Sequence, residues 1–172
     1  MLSSDTLSPL LAIYPSQRGF GFAVASQIGL TDWGLAIVHS KSLDAFLQRV
    51  DALVYRHKIT RIVVENFGQT RRGSRARRCI EHVALYARER EIVISSVARS
   101  ERFVTLDLKY PTASNHDLAV AVAMRFPELE THLPSRRRRW QSEDERIAMF
   151  AAVSCLLVDS KDSYNQPVLT NE

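Results

Sequence analysis

The segment Arg61-Ile62-Val63-Val64-Glu65 restricts the fold of this chain more than any other. Three β-branched apolar residues stand together between two charged ones, and such side chains suit extended backbone. An unbroken apolar run of this length predicts a strand covered on both faces, as parallel strands are. A sheet of that kind needs helices on its faces. The run also ends in a carboxylate, Glu65.

The flanking pattern fills in the rest. Leu10 to Ile13 is a compact apolar run, and Pro15 to Gly19 supplies turn chemistry. Phe20 to Ala25 reads as a second strand with Gly21 inside it. Gly29 marks a turn, and Trp33 to Val38 reads as a third strand, which makes an antiparallel meander. Leu43, Phe46, Leu47, Val50, Leu53 and Val54 define one helical face, with Ser42 as N-cap. After the Arg61–Glu65 strand, Gly68 to Arg78 is polar and basic and reads as a loop. A helix is expected from about Arg78 to Arg90, then a buried strand at Ile92-Val93-Ile94. Residues 95–112 fit neither period, and Pro111 stops a helix there. Ser114 or Asn115 caps a helix bearing Leu118, Ala121, Val122 and Phe126. Pro127 to Trp140 reads as a second basic loop, and a last helix is expected from about Glu143 to Val158. The order β-β-β-α-β-α-β-α-α implies an α/β fold with a mixed five-stranded sheet. One domain over residues 10–158 is expected, with disordered segments at 1–9 and 159–172.

With 172 residues and a 45% hydrophobic share, the chain can bury one core. No apolar run is long enough to span a bilayer. Met1 to Ser8 has no basic stretch followed by an apolar one, so a secretory signal is not expected and the cytoplasm is. Cys79 with His82 gives too few ligands for a metal, and Cys155 stands alone. Both are expected to be buried thiols.

Positive charge is clustered. Arg71, Arg72, Arg75, Arg77, Arg78, Arg88 and Arg90 form one group, and Arg136, Arg137, Arg138 and Arg139 a second. Together they hold 11 of the 23 basic residues. Arginine forks onto phosphate, so nucleic acid is the expected partner. A solvated surface is the plain alternative.

The element order is that of the ribonuclease H-like fold, and four segments carry the likeness further. Leu11 to Val24 resembles the opening hairpin of RuvC-type Holliday-junction resolvases, in which an apolar strand ends in Asp-Pro-Gly. Ile62-Val63-Val64-Glu65-Asn66 resembles their central strand, which ends in a catalytic glutamate. Ala113 to Asp117 sits where the family has a lysine-bearing helix start, matched at best by His116. Ser142 to Ala148 resembles the last helix, whose first turn carries two aspartates. The resemblance spans residues 10 to 158.

That resemblance implies Mg²⁺ or Mn²⁺-dependent hydrolysis of branched DNA, a homodimer, and a role in recombination or repair. Glu65 and Glu145 would be catalytic, and Glu65, Asp144, Glu145 and Glu143 would be metal ligands. Arg71, Arg72, Arg75, Arg77, Arg78 and Arg136 to Arg139 would bind nucleic acid. The chain departs from the family at Tyr14, where the first aspartate belongs. A neutral phenol is a poor ligand for a hard cation. Tyr14 either packs in the core or stacks on a base. Ser142 to Glu145 also reads as a capping box. Trp140 either stacks on a nucleobase or anchors its loop. A catalytically inactive binding or scaffold module, and an unrelated α/β enzyme or interaction protein, remain the rival readings.

Overall fold

A computed structural model describes residues 8–66 and 73–164. Five strands form one mixed sheet: β1 (Leu10–Pro15), β2 (Gly19–Ser26), β3 (Gly29–Ile37), β4 (Arg61–Glu65) and β5 (Val93–Val97). Their order across the sheet is β3-β2-β1-β4-β5. The first three pair antiparallel, while β4 runs parallel to both β1 and β5. The helices are α1 (Leu43–His57), α2 (Ser74–Glu89), α3 (Arg99–Thr105), α4 (Asn115–Arg125) and α5 (Ile147–Tyr164). A 3₁₀ turn covers Pro127–His132. No helix among the described residues is long and apolar enough to cross a membrane.

Residue parity along the central strands creates two separate cores. Leu11, Ile13, Ile62 and Val64 pack with Phe46, Val50 and Leu53 of α1 and with Cys79, Val83 and Ala87 of α2. Leu10, Ala12, Tyr14 and Val63 point to the other face, where α3, α4 and α5 lie. Successive strand side chains alternate faces, so Glu65, two residues beyond Val63, also points toward this second core. The β1–β4 register pairs Ile13 with Val64. Tyr14 and Glu65 are the next residues on each strand.

Two glycines have positional reasons. A Cβ at Gly21 would run into the backbone of Ala148 and Met149, so its absence lets α5 lie directly on β2. Gly29 takes a positive φ of 108° in the β2–β3 turn. Ser42 caps α1 as expected, accepting from the Ala45 N–H at 3.4 Å.

Several expectations need correction. Gly68 to Arg78 is not loop throughout, because α2 already begins at Ser74. The strand around Ile92–Ile94 is shifted to Val93–Val97 and lies at the sheet edge, where Val93 is 60% exposed. The unassigned stretch 95–112 contains α3. The last helix begins at Ile147 rather than Glu143. It also continues to Tyr164, so the segment from 159 is helical at its start. Asp159 is buried there, accepting from Arg61 and Ser95 at 2.9 Å each. Residues 1–7, 67–72 and 165–172 lie outside the described residues.

Candidate nucleic-acid interface and the buried cluster beneath it

Glu65 is fully buried, with 0% exposure. Its Oε2 accepts from the Arg102 guanidinium at 2.8 Å. Arg102 comes from α3 and is 1% exposed. Its second arm donates to the Ser154 hydroxyl of α5 at 3.2 Å, and Ser154 in turn donates to the Ala151 carbonyl at 2.6 Å. The guanidinium also lies over the Tyr14 ring, 5.1 Å from its centroid. Tyr14 is therefore a core residue and not a stacking platform. The cluster joins β1, β4, α3 and α5 around one buried positive charge.

Burial works against the charge on Arg102, but Cys155, Tyr14 and Glu65 outweigh it and hold the guanidinium above its ordinary range. Burial pushes the neighbouring Cys155 thiol up to about 12. Two polar atoms of the cluster, Glu65 Oε1 and Arg102 Nε, are buried without a hydrogen-bond partner among the described residues. Such atoms are costly, and the ion pair is what keeps a carboxylate here at all.

The remaining candidate carboxylates line a cleft, whereas Glu65 is buried. Tyr14, Glu143, Asp144 and Glu145 line a cleft of about 450 Å³ with Ser16, Gly73 and Arg75, and Glu65 does not reach its wall. Glu143 accepts from the Asn115 side chain at 2.6 Å. Asp144 accepts from the Arg146 backbone N–H, from its Nε and from its Nη2, at 2.8 to 3.0 Å. That Arg146 bonding lowers the Asp144 pKa. Glu145 has one buried oxygen without a partner. The backbone turns at Asp144 and Glu145 before α5 begins, their carbonyls accepting from the Ile147 and Ala148 N–H groups at 3.0 Å each.

Among the described residues, no three His, Cys, Asp or Glu side chains come together to hold a metal ion. The donor chemistry agrees. A pair of hard divalent ions needs several converging oxygen ligands. Here a phenol replaces one carboxylate, a guanidinium holds one oxygen of the buried Glu65, and the other three carboxylates line a cleft from which Glu65 is missing. The residues present do not fit a two-metal centre.

Above this cluster lies a much larger cleft of about 1210 Å³. Seven arginines line it, Arg18, Arg99, Arg136 to Arg139 and Arg146, against three carboxylates, Glu143, Asp144 and Glu145. Arg18 follows β1 and Arg99 follows β5, so the cleft opens beyond the carboxyl ends of parallel strands. That is where open α/β sheets place their sites. Arg136 reaches Asp117 at 3.5 Å, and Arg99 donates to the Asn115 side chain at 2.9 Å. His116, the nearest match to a catalytic lysine, has its Nε2 at 3.1 Å from the Pro134 carbonyl and so ties α4 to the basic loop.

The first arginine group is divided. Arg77 and Arg78 are exposed on α2. Arg75 is turned inward and donates to the carbonyls of Ser16 and Gln17, bracing the β1–β2 turn. Arg71 and Arg72 lie outside the described residues. Sequence reasoning missed Arg18, Arg99 and Arg146 because each stands alone in sequence. It also missed Arg102, which only its buried partner reveals.

The sequence matches no family model and no curated protein. Solved structures do match. The chain is similar to RuvC of Thermus thermophilus, with a TM-score of 0.60 at 13% identity, over 91% of this chain and 95% of that one. It is also similar to T. thermophilus RuvC in complex with a Holliday junction substrate, with a TM-score of 0.56 at 12% identity, over 90% and 96%. The chain has a RuvC-like, ribonuclease H-like fold.

Proposed function

We propose that this protein binds branched or structured DNA through the arginine-lined cleft and does not cleave it. The observation that carries the reading is the cleft itself, in which seven arginines face three carboxylates. Phosphate contacts supply most of the affinity in such interfaces. A RuvC-fold neighbour bound to a Holliday junction supports the choice of branched DNA. The Tyr14–Arg102–Glu65 cluster speaks against cleavage, because a fixed guanidinium already neutralises the Glu65 carboxylate, and Tyr14 supplies no charge to attract a divalent ion.

A homodimer belongs to the same reading. Leu85 of α2 is exposed in a shallow groove that it lines with Ala84, Ile92 and Ile94, edged by Glu81 and Arg88. Sedimentation of the free protein tests it.

The binding test uses fluorescence anisotropy with a labelled four-way junction and a linear duplex of equal length, from 50 to 200 mM salt, on the scale over which such affinities fall by about 10³–10⁵. The expected result is salt-sensitive binding that favours the junction, with strands left intact in Mg²⁺ or Mn²⁺. No saturable binding to either DNA would end the reading. Strand cleavage that requires the divalent ion and disappears in Glu65→Gln would replace it with a metal-dependent endonuclease.

A further inference from the structure

Trp140 is 77% exposed. Most of an indole's surface is apolar, so an exposed ring offers a flat face to an apolar partner. It does not anchor its own loop, because polar bonds do that. The Gln141 N–H donates to the Arg138 carbonyl at 3.0 Å, and the Gln141 side-chain oxygen accepts from the Arg138 N–H at 2.9 Å. Arg137 donates to the Gln141 carbonyl at 2.9 Å. The loop is thus braced by polar bonds, and the ring turns one face to the Arg138 guanidinium while most of its surface stays exposed.

Two features say what the ring meets. The Arg138 guanidinium lies 5.5 Å from the indole centroid, so a cation and a π-face are presented together. Arg138, Arg139 and Gln141, on either side of Trp140, line the arginine cleft, so Trp140 stands beside it with its ring against the Arg138 guanidinium. A partner of this site carries negative charge and a flat apolar face. A nucleotide has both. Bases inside a duplex already stack on their neighbours, so their faces are open only where pairing is interrupted.

We propose that Trp140, flanked by Arg138, is a stacking site for an unpaired base, and that it makes the protein favour DNA with unpaired nucleotides beside a duplex. This rests on the nucleic-acid reading above and adds the feature of the DNA that is recognised.

The test measures anisotropy-based affinity for a closed duplex and for the same duplex carrying a three-nucleotide bulge. The proteins are the full chain, Trp140→Phe and Trp140→Ala. The full chain should bind the bulged DNA about tenfold more tightly, in line with the worth of one stacked base. Trp140→Ala should lose that preference and keep its duplex affinity, while Trp140→Phe keeps part of the preference. Equal loss on both DNAs, or no change on either, would overturn the stacking site and leave the binding cleft standing. The second result is the one expected if the indole instead docks a protein. Absence of binding to both DNAs by the full chain would overturn the cleft and the stacking site together.

Discussion

The guanidinium of Arg102 and the carboxylate of Glu65 meet at 2.8 Å in the interior of the second core, where neither side chain is more than 1% exposed. Removing either partner strands the other charge away from water. Glu65→Gln and Arg102→Met are each expected to lower unfolding stability by about 3–5 kcal/mol. The double variant should lose less than the two single losses added, because no lone charge is left behind. Urea unfolding of all four proteins measures this coupling directly. Single-variant losses below about 1 kcal/mol would mean that the pair is not held in the dry interior described.

Divalent cations are expected to leave the thermal midpoint unchanged. A ligand held by the native state at a hundredfold excess over its Kd adds about 2.7 kcal/mol, which moves the midpoint of a domain this size by several degrees. With Glu65 paired to Arg102 and the other carboxylates lining a cleft from which Glu65 is missing, 10 mM Mg²⁺ or Mn²⁺ should act only as salt at about that concentration does. Sodium chloride of matched ionic strength is the control. A rise with the divalent ion that EDTA reverses would show that Glu143, Asp144 and Glu145 hold a cation after all.

The parts of the fold that were readable from sequence are those where periodicity and burial agree. Arg61 to Glu65 reads as a central strand because three β-branched residues have no other comfortable place, and β4 lies between β1 and β5. The same composition at Ile92-Val93-Ile94 misleads, since an edge strand can be equally β-branched. The α3 segment is only seven residues long and too short to show a helical period. Arg102 within it resembles any surface arginine until Glu65 is seen buried beside it. Ser142 to Glu145 has the spacing of a capping box, yet α5 begins only at Ile147, and the Asn115 side chain that holds Glu143 comes from a distant segment that local sequence does not reveal. The arginine cleft was half legible. Arg136 to Arg139 form a run, whereas Arg18 and Arg99 join them only through the fold.

Both cysteines are free and buried. Burial raises the Cys79 thiol and pushes Cys155 up to about 12. Since the thiolate is the reactive form, neither should react with a disulfide reagent at pH 8 while the protein is folded. Two equivalents should react once guanidinium unfolds it. Rapid modification of one thiol under native conditions would show that its helix opens locally.

At the start of α4, Asp117 accepts from the Ser114 N–H at 2.8 Å and from the Ser114 hydroxyl at 2.7 Å. The Ser114 backbone and hydroxyl bonds, aided by Arg136, lower its pKa below the ordinary 3.8. A lowered carboxylate stabilises the fold fully above its ordinary pKa and loses that contribution as pH falls through the lowered value. Asp117→Ala should therefore cost about 0.5–1 kcal/mol at pH 7, as the loss of a partly exposed helix cap does. The gap from the wild-type protein should narrow as pH falls below 4. Urea unfolding at pH 7 and pH 3 tests the sign. A gap that widens in acid would assign the cost to something other than the ionised cap.

Replacing Arg136, Arg137, Arg138 and Arg139 together with alanine should weaken binding to every DNA and flatten its salt dependence. Each phosphate contact contributes about 0.9 to the slope of log K against log salt. The four arginines are not equivalent. Arg136 is drawn toward Asp117 at 3.5 Å, and Arg137 is spent partly on the Gln141 carbonyl at 2.9 Å. A slope reduced by about 2–3 is therefore expected rather than the full value for four contacts. Arg77→Ala with Arg78→Ala, on α2, separates the two groups. If that pair flattens the slope while the quadruple variant leaves it unchanged, DNA lies along α2 and not in the arginine cleft.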